Sequence, residues 1–160
     1  MLEDTAEGKY DRQTAAQNTY EDIVEEAGKK RDKLLDEIVK ERDEALSAED
    51  EIREMRLDSA KEEYLRIKNM YEGTYTDSDM AEIARSELSE AKTKYDNLVK
   101  EIEQDAETAY KKINNKAEAR IKEVERDFTE TEKIAKNVME QSKDDAEYMS
   151  DVAIQNAKHV

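Results

Sequence analysis

Apolar residues in the second half of the chain recur at steps of three and four. Such steps keep the side chains on one face of an α-helix. Heptads at either end and extra steps of four between Ile102 and Ile121 predict a long coiled-coil helix, locally relaxed towards a straight one. Because the extra steps are local, an eleven-residue repeat through the whole chain is not expected. The stripe consists of Ala84, Leu88, Ala91, Tyr95, Leu98, Ile102, Ala106, Ala109, Ile113, Ala117, Ile121, Val124, Phe128, Thr131, Ala135 and Val138.

The first half carries a similar but poorer stripe, which predicts a second and weaker helix. Arg31 and Arg42 interrupt this stripe. Gly28 lies inside it, where glycine costs about 1 kcal/mol of helix stability relative to alanine. The stripe consists of Tyr20, Ile23, Ala27, Leu34, Ile38, Ala45, Ile52, Ala60, Tyr64, Ile67 and Tyr71.

A turn is predicted between the two helices. Gly73 can end a helix in the left-handed conformation, and Asp79 with Glu82 three residues later resembles a capping box. Tyr75 is expected to pack at the tip of the turn, with a role in recognition as the alternative. We therefore predict an all-α fold, a long antiparallel coiled-coil helical hairpin that packs into a larger helical bundle or assembly. The alternative is one continuous helix that pairs with other chains.

A turn centred near Thr76 sets the predicted register of the hairpin. It places Tyr64 beside Leu88 and Ile23 near Phe128. The predicted organisation is a flexible N-terminus (1–8), helix one (9–72), the turn (73–78), helix two (79–143) and an overhang (144–160). The overhang has no partner within the hairpin, so we predict an amphipathic helix that binds a partner, with a solvated tail as the alternative.

Pairs of adjacent apolar residues broaden the stripes beyond what two helices can cover, which predicts contact with further helices. The overhang carries apolar residues at helical spacing as well. The candidate partner contacts are therefore Ile23, Val24, Leu35, Val39, Leu46, Ala146, Met149, Val152 and Ala153, and the candidate turn residues are Gly73, Tyr75 and Asp79.

Composition supports solvated helices. The 160 residues include no proline, no cysteine and three glycines, and 44% of them are charged. A net charge of -16 with 36% hydrophobic residues also permits a disordered acidic chain. The periodic spacing of the apolar residues favours an ordered one.

Charge and hydropathy bound the partners. The acidic excess argues against nucleic acid and anionic membranes, because phosphate binding depends on lysine and arginine. No run approaches the roughly 20 apolar residues of a membrane span, and residues 1–8 lack the apolar region of a signal peptide. We expect protein partners, through self-association or a larger assembly, in an intracellular or virion location.

No constellation of residues points to catalysis. The sole histidine, His159, lies next to the C-terminus, so a nucleophile–histidine pair would have to be built at a fraying end, and a metal site that needs two histidines is excluded. Asp77, Ser78 and Asp79 begin like a calcium loop but lack its glycine and closing glutamate. We expect no cofactor, no bound metal and no small-molecule substrate.

These observations predict a non-enzymatic structural or scaffolding protein, a spacer or assembly element of a larger complex such as a virion. The alternative is an adaptor or inhibitor module that binds another protein through its C-terminal helix or hairpin tip. Self-association separates the two, because a spacer that builds an assembly forms oligomers whereas an adaptor remains a monomer.

Overall fold

A computed structural model shows two α-helices, α1 over Leu2–Tyr71 and α2 over Ser78–Lys158. It describes residues 2–73, 75 and 77–158, and side chains from residue 6 onward except that of residue 157. The helices run antiparallel and pack against each other, so the predicted all-α helical hairpin is confirmed. Packing into a larger bundle stays a prediction.

Shielding from solvent follows an eleven-residue repeat in both helices. In α2 the shielded positions include Ala84, Tyr95, Ala106, Ala117, Phe128, Met139 and Ser150, then Leu88, Val99, Tyr110, Ile121, Glu132, Lys143 and Ile154, then Ala91, Ile102, Ile113, Val124, Ala135 and Ala146. In α1 they include Lys9, Tyr20, Arg31, Arg42, Arg53 and Tyr64, then Gln13, Val24, Leu35, Leu46, Leu57 and Lys68, then Ala16, Ala27, Ile38, Glu49, Ala60 and Tyr71, with a further half-buried series of Leu34, Ala45, Arg56 and Ile67. We call this shared stripe the seam.

The repeat corrects the prediction that departures from the heptad are local. Eleven residues correspond to three turns at about 3.67 residues per turn, a spacing that does not require a left-handed supercoil. A count of apolar residues does not reveal the repeat, because polar side chains occupy several of its positions. Arg31, Arg42 and Arg53 are half-buried rather than interruptions of the stripe. Long polar side chains bury their aliphatic stems while the charged end stays in water.

The helices divide into two compact units. The second unit spans Val39–Glu118 and contains the connection between the helices. Ile102 and Ala106 are its most buried residues, each 2% exposed. The rings of Tyr64 and Tyr95 stack with their centroids 5.1 Å apart. Small alanines and stacked rings thus share this part of the seam, as close packing of two helices requires.

The first unit joins α1 up to Ile38 to α2 from Ala119 onward. The guanidinium carbon of Arg31 lies 4.2 Å from the centre of the Phe128 ring, within the range of a cation–π contact. Gly28 lies against the same ring. Arg31 therefore contributes to the packing of this unit.

Replacing Gly28 with alanine is expected to raise the free energy of unfolding by about 1 kcal/mol, the helix-propensity difference between the two residues. A Cβ atom at Gly28 would lie 4.0 Å from Cε2 of Phe128, an ordinary van der Waals distance, and the glycine has no positive φ. Urea unfolding followed by circular dichroism measures the change. A loss of stability would contradict the packing of Phe128 described above.

The predicted register is wrong by about one heptad. Tyr64 stacks on Tyr95, seven residues beyond its predicted neighbour Leu88, and Phe128 faces Arg31 rather than Ile23. The prediction assumed a symmetric turn. The register depends on how the chain passes from Tyr71 to Ser78, and the spacing of apolar residues within each helix does not specify that path.

The shifted register removes the predicted overhang. Helix α2 runs unbroken to Lys158, and its Ala146 and Ser150 are buried. Nζ of Lys9 lies 3.4 Å from a carboxylate oxygen of Glu147. Residues 144–158 thus continue α2 alongside α1, while 159 and 160 lie outside the described residues.

Residues 2–8, which were predicted to be a flexible N-terminus, belong to α1, because that helix begins at Leu2. Residue 1 lies outside the described part of the chain. The helix boundaries that replace the predicted 9–72 and 79–143 are therefore Leu2–Tyr71 and Ser78–Lys158.

The connection between the helices uses a different cap from the predicted one. A carboxylate oxygen of Asp77 accepts a hydrogen bond of 2.9 Å from the backbone N–H of Asp79, which makes Asp77 the N-cap of α2. Asp79 lies in the first helical turn, where its charge suits the helix dipole. Gly73 lacks the predicted positive φ, and Tyr75 is half-buried.

Candidate interaction surface

The structure divides the predicted partner contacts into two groups. Ala146 is buried in the seam of the first unit, and its role as a partner contact stays a prediction. The first group lies in the seam, and besides Ala146 it contains the half-buried residues Val24, Leu35 and Leu46. They occupy seam positions of the eleven-residue repeat, which is why paired apolar residues fit a two-helix seam after all.

The second group faces solvent. It consists of Ile23, Val39, Met149, Val152 and Ala153. Four of these residues belong to the first unit and Val39 to the second. The turn candidates Gly73 and Asp79 are exposed as well. Accessible apolar candidates are therefore found mainly in the first unit.

One side of the first unit is closed by polar contacts between its helices. Nζ of Lys143 donates a hydrogen bond of 2.8 Å to the side-chain oxygen of Gln17. Lys9 pairs with Glu147 on the same side, four residues further along α2. We call this side the bridged flank.

The opposite side of the first unit contains a groove of about 440 Å³ between the helices. Small side chains form much of its wall. This groove and a second one, described below, are open to solvent. Its lining residues are Arg12, Ala15, Ala16, Thr19, Ser142, Asp145, Ala146 and Met149. A second groove of about 220 Å³ is lined by Ala27, Lys30, Arg31, Leu34, Val124, Asp127, Phe128 and Thr131.

Large apolar side chains border these grooves. Val138 lies four residues before Ser142 and Ile134 lies four before Val138, so the three share one helix face. The exposed fractions are 41% for Ile23, 55% for Ile134, 58% for Val138 and 56% for Met149. We call this surface, with Arg12, Ala15, Ala16, Thr19, Ser142 and Asp145, the open flank.

Charge is sparse at the open flank, although 44% of the chain is charged. Residues 13–20, which include Ala15, Ala16 and Thr19 of the open flank, are eight successive uncharged residues. Arg12 and Asp145 are the charged residues that line the larger groove. The cores of protein interfaces are similarly depleted in charge.

Polar contacts also link the two helices of the second unit. Arg53 donates two hydrogen bonds to Glu103, at 2.8 and 2.7 Å, and Arg56 pairs with Asp105 at 2.9 Å. The Tyr110 hydroxyl donates to Asp50. In the eleven-residue repeat, Arg53 with Glu103 and Tyr110 with Asp50 occupy the positions of Lys9 with Glu147 and Lys143 with Gln17, so they correspond to the bridged flank. Arg56 with Asp105 occupies the positions of Arg12 and Met149, which belong to the open flank.

These contacts shift pKa values in directions set by hydrogen bonding. The hydrogen bond from Arg53 holds the pKa of Glu103 below its usual range, and the hydrogen bond to Asp50 raises the pKa of the Tyr110 hydroxyl. Glu103 thus favours the folded state above its unfolded pKa, and that contribution is lost as pH falls through the lowered value. Both groups serve helix pairing, since they lie between the two helices.

Other features of a functional site were sought in the described residues. No group of three or more histidine, cysteine, aspartate or glutamate side chains there could hold a metal ion. Neither helix, over its described length, has a stretch apolar enough to span a bilayer. The open flank is the candidate interaction surface of the first unit. The second unit has a groove of about 380 Å³ that is lined by Met55, Arg56, Ser59, Ala60, Glu63, Leu98 and Ile102.

Comparisons of the chain with protein-family models, with curated proteins and with solved structures gave no significant match. The function proposed next therefore depends on the fold and on the open flank.

Proposed function

We propose that this protein is a non-enzymatic structural element that self-associates and supplies spacing in a larger assembly. The eleven-residue repeat supports this proposal, because it pairs two long helices over 70 and 81 residues with a uniform seam. A repeat of this kind can lengthen both helices by eleven residues at a time while the seam keeps the same positions. Length and spacing are the properties that such a seam supplies.

The observation that carries the proposal is the open flank. Isolated apolar residues on a surface are normal, but Ile23, Ile134, Val138 and Met149 share one side of one unit. Apolar surface gathered in this way marks sites of protein contact. An assembly element requires such a site, in addition to the seam that holds its own helices together.

The chemistry of the acidic side chains supports a non-enzymatic role. General acids and bases have pKa values tuned by burial and neighbouring charges. Here the shifted carboxylates, Glu25 and Glu107 among them, lie at the surface beside Lys29 and Lys111, one helical turn away. Pairs of this kind stabilise exposed helix faces.

Light scattering on the purified protein tests the proposal. We expect a stable oligomer whose mass reaches a whole-number multiple of 18.6 kDa as concentration rises. A monomer at every concentration would contradict a self-associating structural role and favour the adaptor, the second candidate, which would use the open flank to bind a different protein.

A further inference from the structure

Acidic side chains border the open flank on α1. Asp11 lies four residues before Ala15, which lines the larger groove. Residues four apart are neighbours on a helix surface, so Asp11 lies beside the wall of that groove. Glu26 lies eleven residues after Ala15 and therefore occupies the same position of the repeat. The α1 edge of the open flank is thus acidic at two levels.

The α2 edge of the open flank is acidic in the same way. Asp145 lines the larger groove, and it occupies the position of Ile134 one repeat later. Glu130 lies four residues before Ile134, so the two are neighbours on the helix surface. Both acids are exposed. The apolar side chains of the open flank therefore lie between two acidic edges.

Lysines of α2 leave these edges unneutralised. Lys143 belongs to the bridged flank, and Lys136 lies on the same face of the helix, seven residues before it. Among the four acids at the edges, Asp11, Glu130 and Asp145 make no ion pair with a described residue. Negative charge at the open flank is thus available to a partner.

Charge complementarity selects the kind of partner. A positively charged helix would neutralise the acidic edges, whereas a second copy, with a net charge of -16, would add to their repulsion. Arg12 lines the larger groove, but its single charge does not offset four acids. The apolar groove between the edges suits the apolar face of an amphipathic helix.

We propose that a basic amphipathic helix of another protein docks on the open flank as a third helix of the first unit. Its apolar side chains pack on Ile134, Val138 and Met149, and lysine or arginine side chains along both of its edges pair with the acids. The small side chains of Ala15 and Ser142 let the docked helix approach closely.

This inference goes beyond the proposed function, because it assigns the open flank a partner other than this chain. Like the proposed function, it requires a contact site at the open flank. It does not require self-association. Binding of the basic helix and the mass of the purified protein are therefore measured separately.

A synthetic helix of about 20 residues, the length of 134–153, tests the proposal. It carries leucine along one face in steps of three and four and lysine along both edges of that face. A control peptide keeps the leucines and replaces the lysines with glutamate. Fluorescence anisotropy of the labelled peptides should show one-to-one binding of the basic peptide, at least about tenfold tighter than that of the acidic one. Equal binding would overturn the inference.

Val138→Asp separates docking on the open flank from general attraction to an acidic protein. The new charge disrupts the apolar contact, so the dissociation constant of the basic peptide should rise by about tenfold or more. General attraction would instead become stronger. Val138 is 58% exposed, so the helical circular dichroism should stay unchanged. Thr19→Asp, at an exposed position of α1, gives the same test independently of α2. Unchanged or tighter binding by the folded variants would overturn the inference.

Charge reversal tests the acidic edge. Glu130→Lys with Asp145→Lys should weaken binding of the basic peptide by about tenfold or more. The matched control is Glu140→Lys with Asp144→Lys. These residues are exposed and precede Lys143 and Glu147 of the bridged flank by three residues each.

Both double variants change the net charge equally. At about 0.15 M salt the control should have little effect, because charges further away than about 8 Å are largely screened. Equal weakening by the two variants would show attraction without a site, and would overturn the inference.

The inference and the proposed function can fail separately. If the purified protein is an oligomer and the basic peptide does not bind, the inference fails and the proposed function stands. If the peptide binds as expected and the protein is a monomer at every concentration, the inference stands and the self-associating role fails.

Discussion

Replacing Ile102 with aspartate is expected to lower the free energy of unfolding by about 3–5 kcal/mol. Ile102 is 2% exposed in the seam of the second unit. The substitution removes apolar contacts that cost about 2–5 kcal/mol to lose, and it leaves a carboxylate without water or a partner. Urea unfolding followed by circular dichroism measures the loss.

Ile83→Asp is the matched control. The same substitution is made in the same helix and unit, but Ile83 is 51% exposed. A surface substitution of this kind should change stability by less than about 0.5 kcal/mol. Equal effects at Ile102 and Ile83 would show that the seam is not a buried core, and would favour the disordered alternative.

Much of this fold could be predicted from the sequence because helix formation is a local property. Steps of three and four, the absence of proline and the few glycines each indicate helices without reference to distant residues. The eleven-residue repeat was harder to detect. Arg31, Arg42 and Arg53 hold seam positions with their stems, and a count of apolar residues treats them as gaps.

The register was not predictable in the same way. It depends on the path of the connection after Tyr71, and a few non-helical residues decide whether Tyr64 meets Leu88 or Tyr95. Because the predicted register differed by seven residues, it left the last part of α2 without residues of α1 beside it, as an apparent overhang. Ala146 belongs to this part of α2, and the structure buries it in the seam against α1.

The open flank was only partly predictable. Ile23 and Met149 were predicted as contacts, but the choice between Ile23 and Val24, or between Val138 and Met139, depends on which member of each pair enters the seam. Ile23 and Val138 are exposed, whereas Val24 and Met139 are half-buried. One local signal was present in the sequence, the eight uncharged residues 13–20 in a chain that is 44% charged.

A uniform repeat means that length can be altered in units of eleven residues. Each repeat of the seam uses the same three classes of position in both helices, so removing one repeat joins equivalent residues. Deleting 43–53 from α1 and 106–116 from α2 places Arg42 where Arg53 was, opposite Glu103. Ala117 likewise takes the place of Ala106.

The expected result is that this eleven-residue deletion folds cooperatively, whereas a nine-residue deletion does not. Removing 43–51 and 108–116 takes out two and a half turns at 3.6 residues per turn, and this rotates each helix by half a turn at the junction. Only one of the flanking segments can then keep its seam. The nine-residue deletion should therefore expose several buried side chains, each worth about 2–5 kcal/mol. We expect this variant to be at least about 5 kcal/mol less stable than the eleven-residue deletion. Urea unfolding compares the two variants, and equal stability would show that the spacing of the seam does not hold the helices together.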